Sequence, residues 1–195
     1  MEMEGLKRSV AFLKEHADIG VVITDRHRQI GKYIREEIPE AVHQYDVWHV
    51  AKGLKKKVNA LSKLKGCEDV GLWRRSLVNH MYWCSLSTPS GDGEMIAAKW
   101  KSIANHVQNK HSGHGELFPK CRHGPLHGRD RQKEWLKPST KACEKLVDII
   151  TNTHLCNDVR KLSPLYQTYS LEGFHSLVIQ FAPKMLAYSY NGMLS

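Results

Sequence analysis

An apolar strand that ends in an acidic residue constrains this chain more than any other feature. Residues 19–23 are apolar and mostly β-branched, without polar alternation, and Asp25 follows them. Such a run predicts a strand that is buried on both faces. In open α/β sheets, ligands bind at the carboxyl ends of the strands. The sequence therefore predicts a carboxylate at the edge of a sheet where chemistry occurs.

A second strand with an acid at its end follows after one helix. Residues 30–38 repeat apolar side chains at helical spacing until Pro39, residues 41–45 predict a strand, and Asp46 comes next. The short helical connection favours parallel neighbouring strands. Asp25 and Asp46 are therefore expected at the same edge of the sheet.

The rest of the chain predicts helices and one irregular loop. Apolar residues recur at helical spacing in segments 5–16, 50–65, 72–86, 94–108, 139–150 and 169–181. No comparable strand follows residue 50, so the fold class is α/β with two parallel strands and many helices. Two such strands leave unpaired edges, which predicts self-association.

Charge and composition narrow the class of protein. The 195 residues carry a net charge of +9, which suggests a polyanionic partner. Five cysteines without regular spacing indicate a reducing compartment. The acidic start is not a signal peptide, and no apolar run is long enough for a membrane span. We expect an intracellular protein, nuclear or cytoplasmic, that binds DNA and no membrane.

Three carboxylates could form a site for a divalent cation. Glu172 lies beside the predicted buried stripe of the last helix, which consists of Leu171, Phe174, Val178 and Phe181. We therefore expect Glu172 to face one cleft with Asp25, with Asp46 or His49 at its rim. Carboxylate oxygens are the ligands that Mg²⁺ prefers, and paired ions promote phosphodiester chemistry.

The segments around these acids resemble a family. Residues 22–27 (VITDRH), 46–52 (DVWHVAK) and 171–176 (LEGFHS) resemble the catalytic domain of eukaryotic DDE transposases of the Mutator and hAT-like groups. The resemblance covers most of the chain. It implies an RNase H-like fold that is interrupted by a large α-helical insertion.

The resemblance also implies roles for individual residues. Asp25 corresponds to the second catalytic acid and Glu172 to the third, and both would bind Mg²⁺ or Mn²⁺. Asp46 and His49 correspond to an ancillary motif. Asp46 remains an alternative for the second acid, and a structural role for Asp46 and His49, with a hydrogen bond between them, is equally open.

The family's first acid has no counterpart upstream of Asp25, because Asp18 lies too close to it. We therefore expect a fragment or a degenerate copy of a transposase, truncated at its N-terminus and without strand-transfer activity. The predicted organisation is a core fragment at 1–50, a helical insertion at 51–163 and a returning catalytic-domain segment at 164–195.

Five histidines and one cysteine lie in the loop at 106–128, which has no helical or strand period. They are His106, His111, His114, Cys121, His123 and His127. Imidazole and thiolate groups are zinc ligands, and we expect His111, His114, Cys121 and His123 as a possible structural zinc site. Polar loop histidines without a metal are the alternative.

A lysine-rich helix face is the candidate DNA contact. Lys52, Lys55, Lys56 and Lys57 lie opposite the apolar stripe of the predicted helix at 50–65. They either contact phosphates or form an ordinary solvated face. Trp48 and Trp83 are predicted in the core. The hypotheses are therefore a partial transposase, a non-catalytic DNA- or protein-binding module derived from one, and a zinc-stabilised helical protein.

Overall fold

Two parallel strands and a series of helices make up the fold. The computed structural model describes residues 2–128 and 134–181. The elements, in chain order, are α1 (Glu2–Lys14), β1 (Val21–Thr24), α2 (Arg28–Glu37), β2 (Val42–Tyr45), α3 (Val47–Leu61), α4 (Val70–Leu86), α5 (Gly93–Lys101), α6 (Ile103–His106), α7 (Lys141–Thr151), α8 (Thr153–Val159) and α9 (Tyr169–Phe181). The α/β class is therefore confirmed. The end of the predicted segment 164–195, beyond residue 181, lies outside the described residues.

The two strands pair in parallel, as their connection through α2 predicts. Val21 pairs with Val42 and Thr24 with Tyr45. Asp46 donates its backbone N–H to the Thr24 carbonyl at 3.1 Å, so the ladder continues past the end of β2. Asp25 and Asp46 therefore follow the carboxyl ends of adjacent strands.

The predicted burial of β1 on both faces is wrong. Val22 packs against a small core around Val10, Ile34 and Ile38, whereas Val21 is 42% exposed. Within the described residues, α1 and α2 cover one face and no second layer covers the other. An uninterrupted apolar run indicates that a strand tends to be buried, but burial on both faces also requires a layer of other elements on each face.

The main core lies in the helical segment that follows β2. It extends from Val47 to Leu162 and includes Trp73, Trp100 and Leu146. Two indole N–H groups are satisfied within it, because Trp100 donates to the Ile150 carbonyl at 2.9 Å and Trp73 donates to the Glu134 carbonyl at 3.2 Å. This segment therefore has a hydrophobic core of its own.

The helical segment returns to the point of the sheet from which it leaves. Tyr45 N–H donates to the Lys161 carbonyl at 2.6 Å, and Ser163 N–H donates to the Tyr45 carbonyl at 2.9 Å. Leu162 thereby forms a parallel bridge with Tyr45. The chain enters α3 directly after Asp46 and comes back beside β2, which brings α9 to the same edge.

The predicted burial of the apolar stripe of α9 is also wrong. Leu171 is 64% exposed, Phe174 is 63% exposed and Phe181 is 78% exposed. Val178 is also exposed, at 39%. No described element packs over this stripe, so the helix presents apolar side chains outward.

Candidate metal centre and sheet-edge site

Asp46 is a buried carboxylate that joins two helices. Its side chain is 1% exposed and forms the N-cap of α3 by accepting the Trp48 N–H at 2.7 Å. Its second oxygen accepts the backbone N–H of Thr168 at 2.8 Å and also the Thr168 hydroxyl. Asp46 therefore ties the start of α3 to the segment that enters α9.

His49, in the first turn of α3, lies close to Glu172, in the first turn of α9. His49 Nε2 lies 3.6 Å from Glu172 Oε1 across the gap between α3 and α9. The predicted hydrogen bond between Asp46 and His49 is not found, since Asp46 bonds to Trp48 and Thr168 instead. The structure thus brings three of the predicted residues to one place: Asp46, His49 and Glu172.

A cavity of about 290 Å³ opens beside these residues. Asp46, Trp48, Tyr82, Gln167, Thr168 and Glu172 line it. Trp48 is 44% exposed, so its predicted place in the core is wrong, and Lys52 Nζ lies 4.5 Å above its ring. Trp83 is half-buried against the main core.

Asp25 lies at the end of β1 and engages its own loop. Its Oδ1 accepts the His27 N–H at 3.0 Å. The next residue, Arg26, donates to Asp158 of α8 at 2.9 Å, which fixes this loop against the helical segment. Asp25 is not among the residues that line the cavity beside Glu172.

The contacts of these acids do not support a magnesium site. Both oxygens of Asp46 accept hydrogen bonds from the protein, and this carboxylate is buried. Across residues 2–128 and 134–181, one group of His, Cys, Asp and Glu side chains could hold a metal ion, and it contains no carboxylate. We therefore derive no metal-dependent step at the sheet edge.

That group lies in the His/Cys-rich loop and could hold a metal ion. It consists of His106, His111, Cys121 and His123, whose ligand atoms all lie within 4.8 Å of one another. Zn–N and Zn–S bond lengths place the ligand atoms of a tetrahedral zinc site about 3.3–3.8 Å apart. His106 Nδ1 and Cys121 Sγ are already 3.5 Å apart, so modest closure would complete the site.

In His111 and His123, one ring nitrogen forms a hydrogen bond and the other is left available to a metal ion. His111 Nε2 bonds to Asn109 Oδ1 at 2.9 Å, while His111 Nδ1 is buried without a hydrogen-bond partner in the described residues. His123 Nδ1 bonds to the Gly124 carbonyl at 2.8 Å, which leaves Nε2 as its ligand atom. Metal-binding histidines typically donate their other nitrogen in this way.

Backbone pairing closes the loop into a small hairpin. Cys121 N–H donates to the His111 carbonyl at 2.9 Å, and Ser112 forms an antiparallel bridge with Lys120. Two of the ligand residues are thereby held side by side. Burial raises the pKa of the Cys121 thiol, and burial, with the charge of His123, lowers the pKa of His111. Both shifts favour the neutral forms of Cys121 and His111, so a metal ion would have to displace the thiol proton.

The predicted zinc set differs from this cluster at one position. His111, Cys121 and His123 come together as predicted, and His106 joins them from the end of α6. His114 instead places its Nε2 3.2 Å from Cys121 Sγ, and Asn105 holds its other nitrogen. His106 could have been selected from the sequence, because a histidine ending a helix just before a loop is well placed to ligate.

The lysines of the candidate DNA contact share one exposed face of α3. Lys52, Lys55, Lys56 and Lys57 are all exposed, opposite the buried residues Val50, Leu54 and Val58. No ion pair to any of the four is found among the described residues. The face therefore carries uncompensated positive charge.

Comparisons with protein-family models, with curated proteins and with solved structures found no match. Among the described residues, no helix combines the length and the apolar character needed to cross a membrane.

Proposed function

We propose that this chain is a DNA-binding segment derived from the RNase H-like core of a DDE-type transposase. The observation that carries the proposal is the return of the chain to the end of β2. Thr168 bonds to Asp46, and Glu172 approaches His49 to 3.6 Å, after an excursion through α3–α8. The resemblance implies this order of strand acid, strand acid, helical insertion and helix acid.

DNA binding, and not catalysis, is the activity that the contacts support. Asp46 is committed to hydrogen bonds that join α3 to α9, so a structural role for it is favoured over metal ligation. The exposed lysines of α3 carry the positive charge that phosphate contacts need. Such contacts position a protein on DNA without reading its sequence.

The α3 lysines can be tested by salt-dependent binding to duplex DNA. We expect the triple substitution Lys55→Gln, Lys56→Gln and Lys57→Gln to weaken binding of a labelled duplex at least tenfold at low salt. The slope of log K against log salt should fall by about 2–3, because each phosphate contact contributes about 0.9. Fluorescence anisotropy measures both quantities.

A matched control removes three positive charges elsewhere. Lys7→Gln, Arg8→Gln and Lys32→Gln change exposed residues of α1 and α2, and binding should change less than threefold. Equal losses in the two triple variants would mean that only net charge matters. No duplex binding by the wild type at low salt would overturn the proposed DNA-binding function.

A second proposed function is zinc binding in the insertion. The orphan His111 Nδ1 favours it, because a buried nitrogen without a protein partner costs free energy that a bound metal ion would offset. Thiolate and imidazole groups are both zinc ligands, and four of them match the four-coordinate geometry of a structural site. The metal would fix the loop between α6 and α7 against the main core.

Metal analysis of the purified chain tests this site. We expect about one zinc per chain in the wild type and a large loss of zinc in Cys121→Ser and in His111→Ala. Cobalt substitution should give the visible absorption of tetrahedral Co²⁺ with a thiolate ligand, and Cys121→Ser should abolish the sulfur-to-metal band.

The matched control is His127→Ala, since His127 is an exposed histidine of the same loop outside the cluster. It should retain the full metal content. Wild-type protein that binds no zinc after dialysis against zinc-buffered solution would refute the site. The DNA-binding result would be unaffected by that outcome.

A further inference from the structure

A second cavity lies next to the group formed by His106, His111, Cys121 and His123. Its volume is about 400 Å³, and it is bounded by α4, by the α5–α6 junction and by the His/Cys-rich loop. Three residues of the cluster, His106, Cys121 and His123, form part of its wall. A volume of this size lies within the usual range for small-molecule sites, about 300–1,000 Å³.

The walls of this cavity are aromatic and apolar. Trp83 from α4 and Phe118 from the loop lie with ring centroids 5.9 Å apart, and Ile103 adds an aliphatic surface. His80 stacks on Trp83 at 5.4 Å and bonds through Nε2 to the Lys99 carbonyl. Because a carbonyl only accepts, Nε2 carries the proton and Nδ1 is left as an acceptor.

The charges around the cavity are positive. Arg122 is the charged residue of its lining, and the lining contains no carboxylate. Arg122 forms no salt bridge with the described residues, whereas Lys99 lies close by with its Nζ 5.4 Å from the Trp83 ring. Lys99 is itself held by Ser87 and Thr88, so Arg122 is the cation that a ligand could engage.

Metal binding would fix the part of this lining that the loop contributes. Phe118 and Arg122 both lie in the loop between the ligands His111 and His123. A metal ion that joins these ligands would fix the positions of the ring and the guanidinium relative to α4. Ligand affinity and metal occupancy would then be linked, and each would strengthen the other.

We infer that this cavity binds a planar aromatic anion, with its ring against Trp83 and Phe118 and its anionic group on Arg122, in a metal-dependent manner. The metal dependence rests on the proposed zinc site. The ligand class follows from the aromatic walls, from the positive charge without a carboxylate and from the volume of the cavity.

The probe for the test is 2-naphthoate, with the uncharged 2-naphthamide as its matched partner. Calorimetric titration of the full zinc-loaded chain should show one 2-naphthoate site, with 2-naphthamide binding at least tenfold more weakly. Arg122→Gln should abolish the difference between the two compounds. Phe118→Ala should weaken both compounds at least fivefold without lowering the zinc content.

Two further arms separate this inference from the zinc proposal. Arg75→Gln removes an exposed arginine of α4 outside the cavity lining and should leave 2-naphthoate binding unchanged. Cys121→Ser should lose zinc and 2-naphthoate binding together.

Zinc-loaded protein that does not bind 2-naphthoate, or that binds it equally well after Arg122→Gln, would overturn the cavity assignment and leave the zinc site standing. Unchanged 2-naphthoate binding by metal-free protein would overturn the coupling. Wild-type protein without zinc would overturn the zinc proposal itself.

Discussion

Asp46 is a residue whose role the sequence leaves open and whose contacts decide it. As the residue after β2, it could have been a metal ligand, an ancillary residue or a helix cap. Its contacts select the cap, because the carboxylate accepts the Trp48 N–H and two donors of Thr168 while it is 1% exposed. It joins residues 122 positions apart in the chain.

Removal of this carboxylate should destabilise the fold. We expect Asp46→Ala to lower the free energy of unfolding by about 2–4 kcal/mol, because it removes a helix cap and leaves buried donors unsatisfied. Asp92→Ala removes an exposed cap of α5 and should cost only about 1 kcal/mol. Urea denaturation measures both values.

A second variant at the partner position tests the same link. Thr168→Val removes the hydroxyl donor and keeps the backbone N–H, so it should cost less than Asp46→Ala. In the double variant the two losses should not add, since both act on one contact. Additive losses, or an Asp46→Ala variant as stable as the wild type, would contradict the role assigned to Asp46.

At the scale of elements, local patterns predicted positions well. The strands at β1 and β2, their parallel pairing and helices such as α3 and α7 lie close to where the sequence indicated, because apolar periodicity and short connections are local properties. The short helix α8 was missed. Its buried residues Leu155, Cys156 and Val159 span too few turns to establish a period.

The wrong predictions share a physical cause: each concerns a residue whose burial or contacts depend on an element distant in the sequence. Val21 and Phe174 are apolar enough for a core, yet their exposure depends on whether another layer covers them. The place of His106 in the metal cluster depends on where α6 ends relative to the loop hairpin. Glu172 was expected to share a cleft with Asp25, and it lies beside His49, because its position depends on where the chain returns after α8.

At the scale of the whole molecule, the two hydrophobic cores differ greatly in size. The helical segment buries its core around Trp73 and Trp100, whereas on the sheet side the described residues that are fully buried are Val10, Ile34 and Ile38. Val42 at one end of the two-stranded sheet is 57% exposed. The exposed stripe of α9 adds further apolar surface on this side. Apolar patches of this kind favour association between chains.

We therefore expect the chain to self-associate through α9 and the open sheet. Sedimentation velocity should show a weight-average mass that rises with protein concentration. Phe174→Ser with Leu177→Ser should shift the protein towards monomer, because these side chains are 63% and 53% exposed and support no described core. Leu72→Ser is the matched control, since Leu72 is 62% exposed on α4, and it should leave association unchanged. A wild-type chain that remains a monodisperse monomer at all concentrations would show that the exposed stripe of α9 does not drive association.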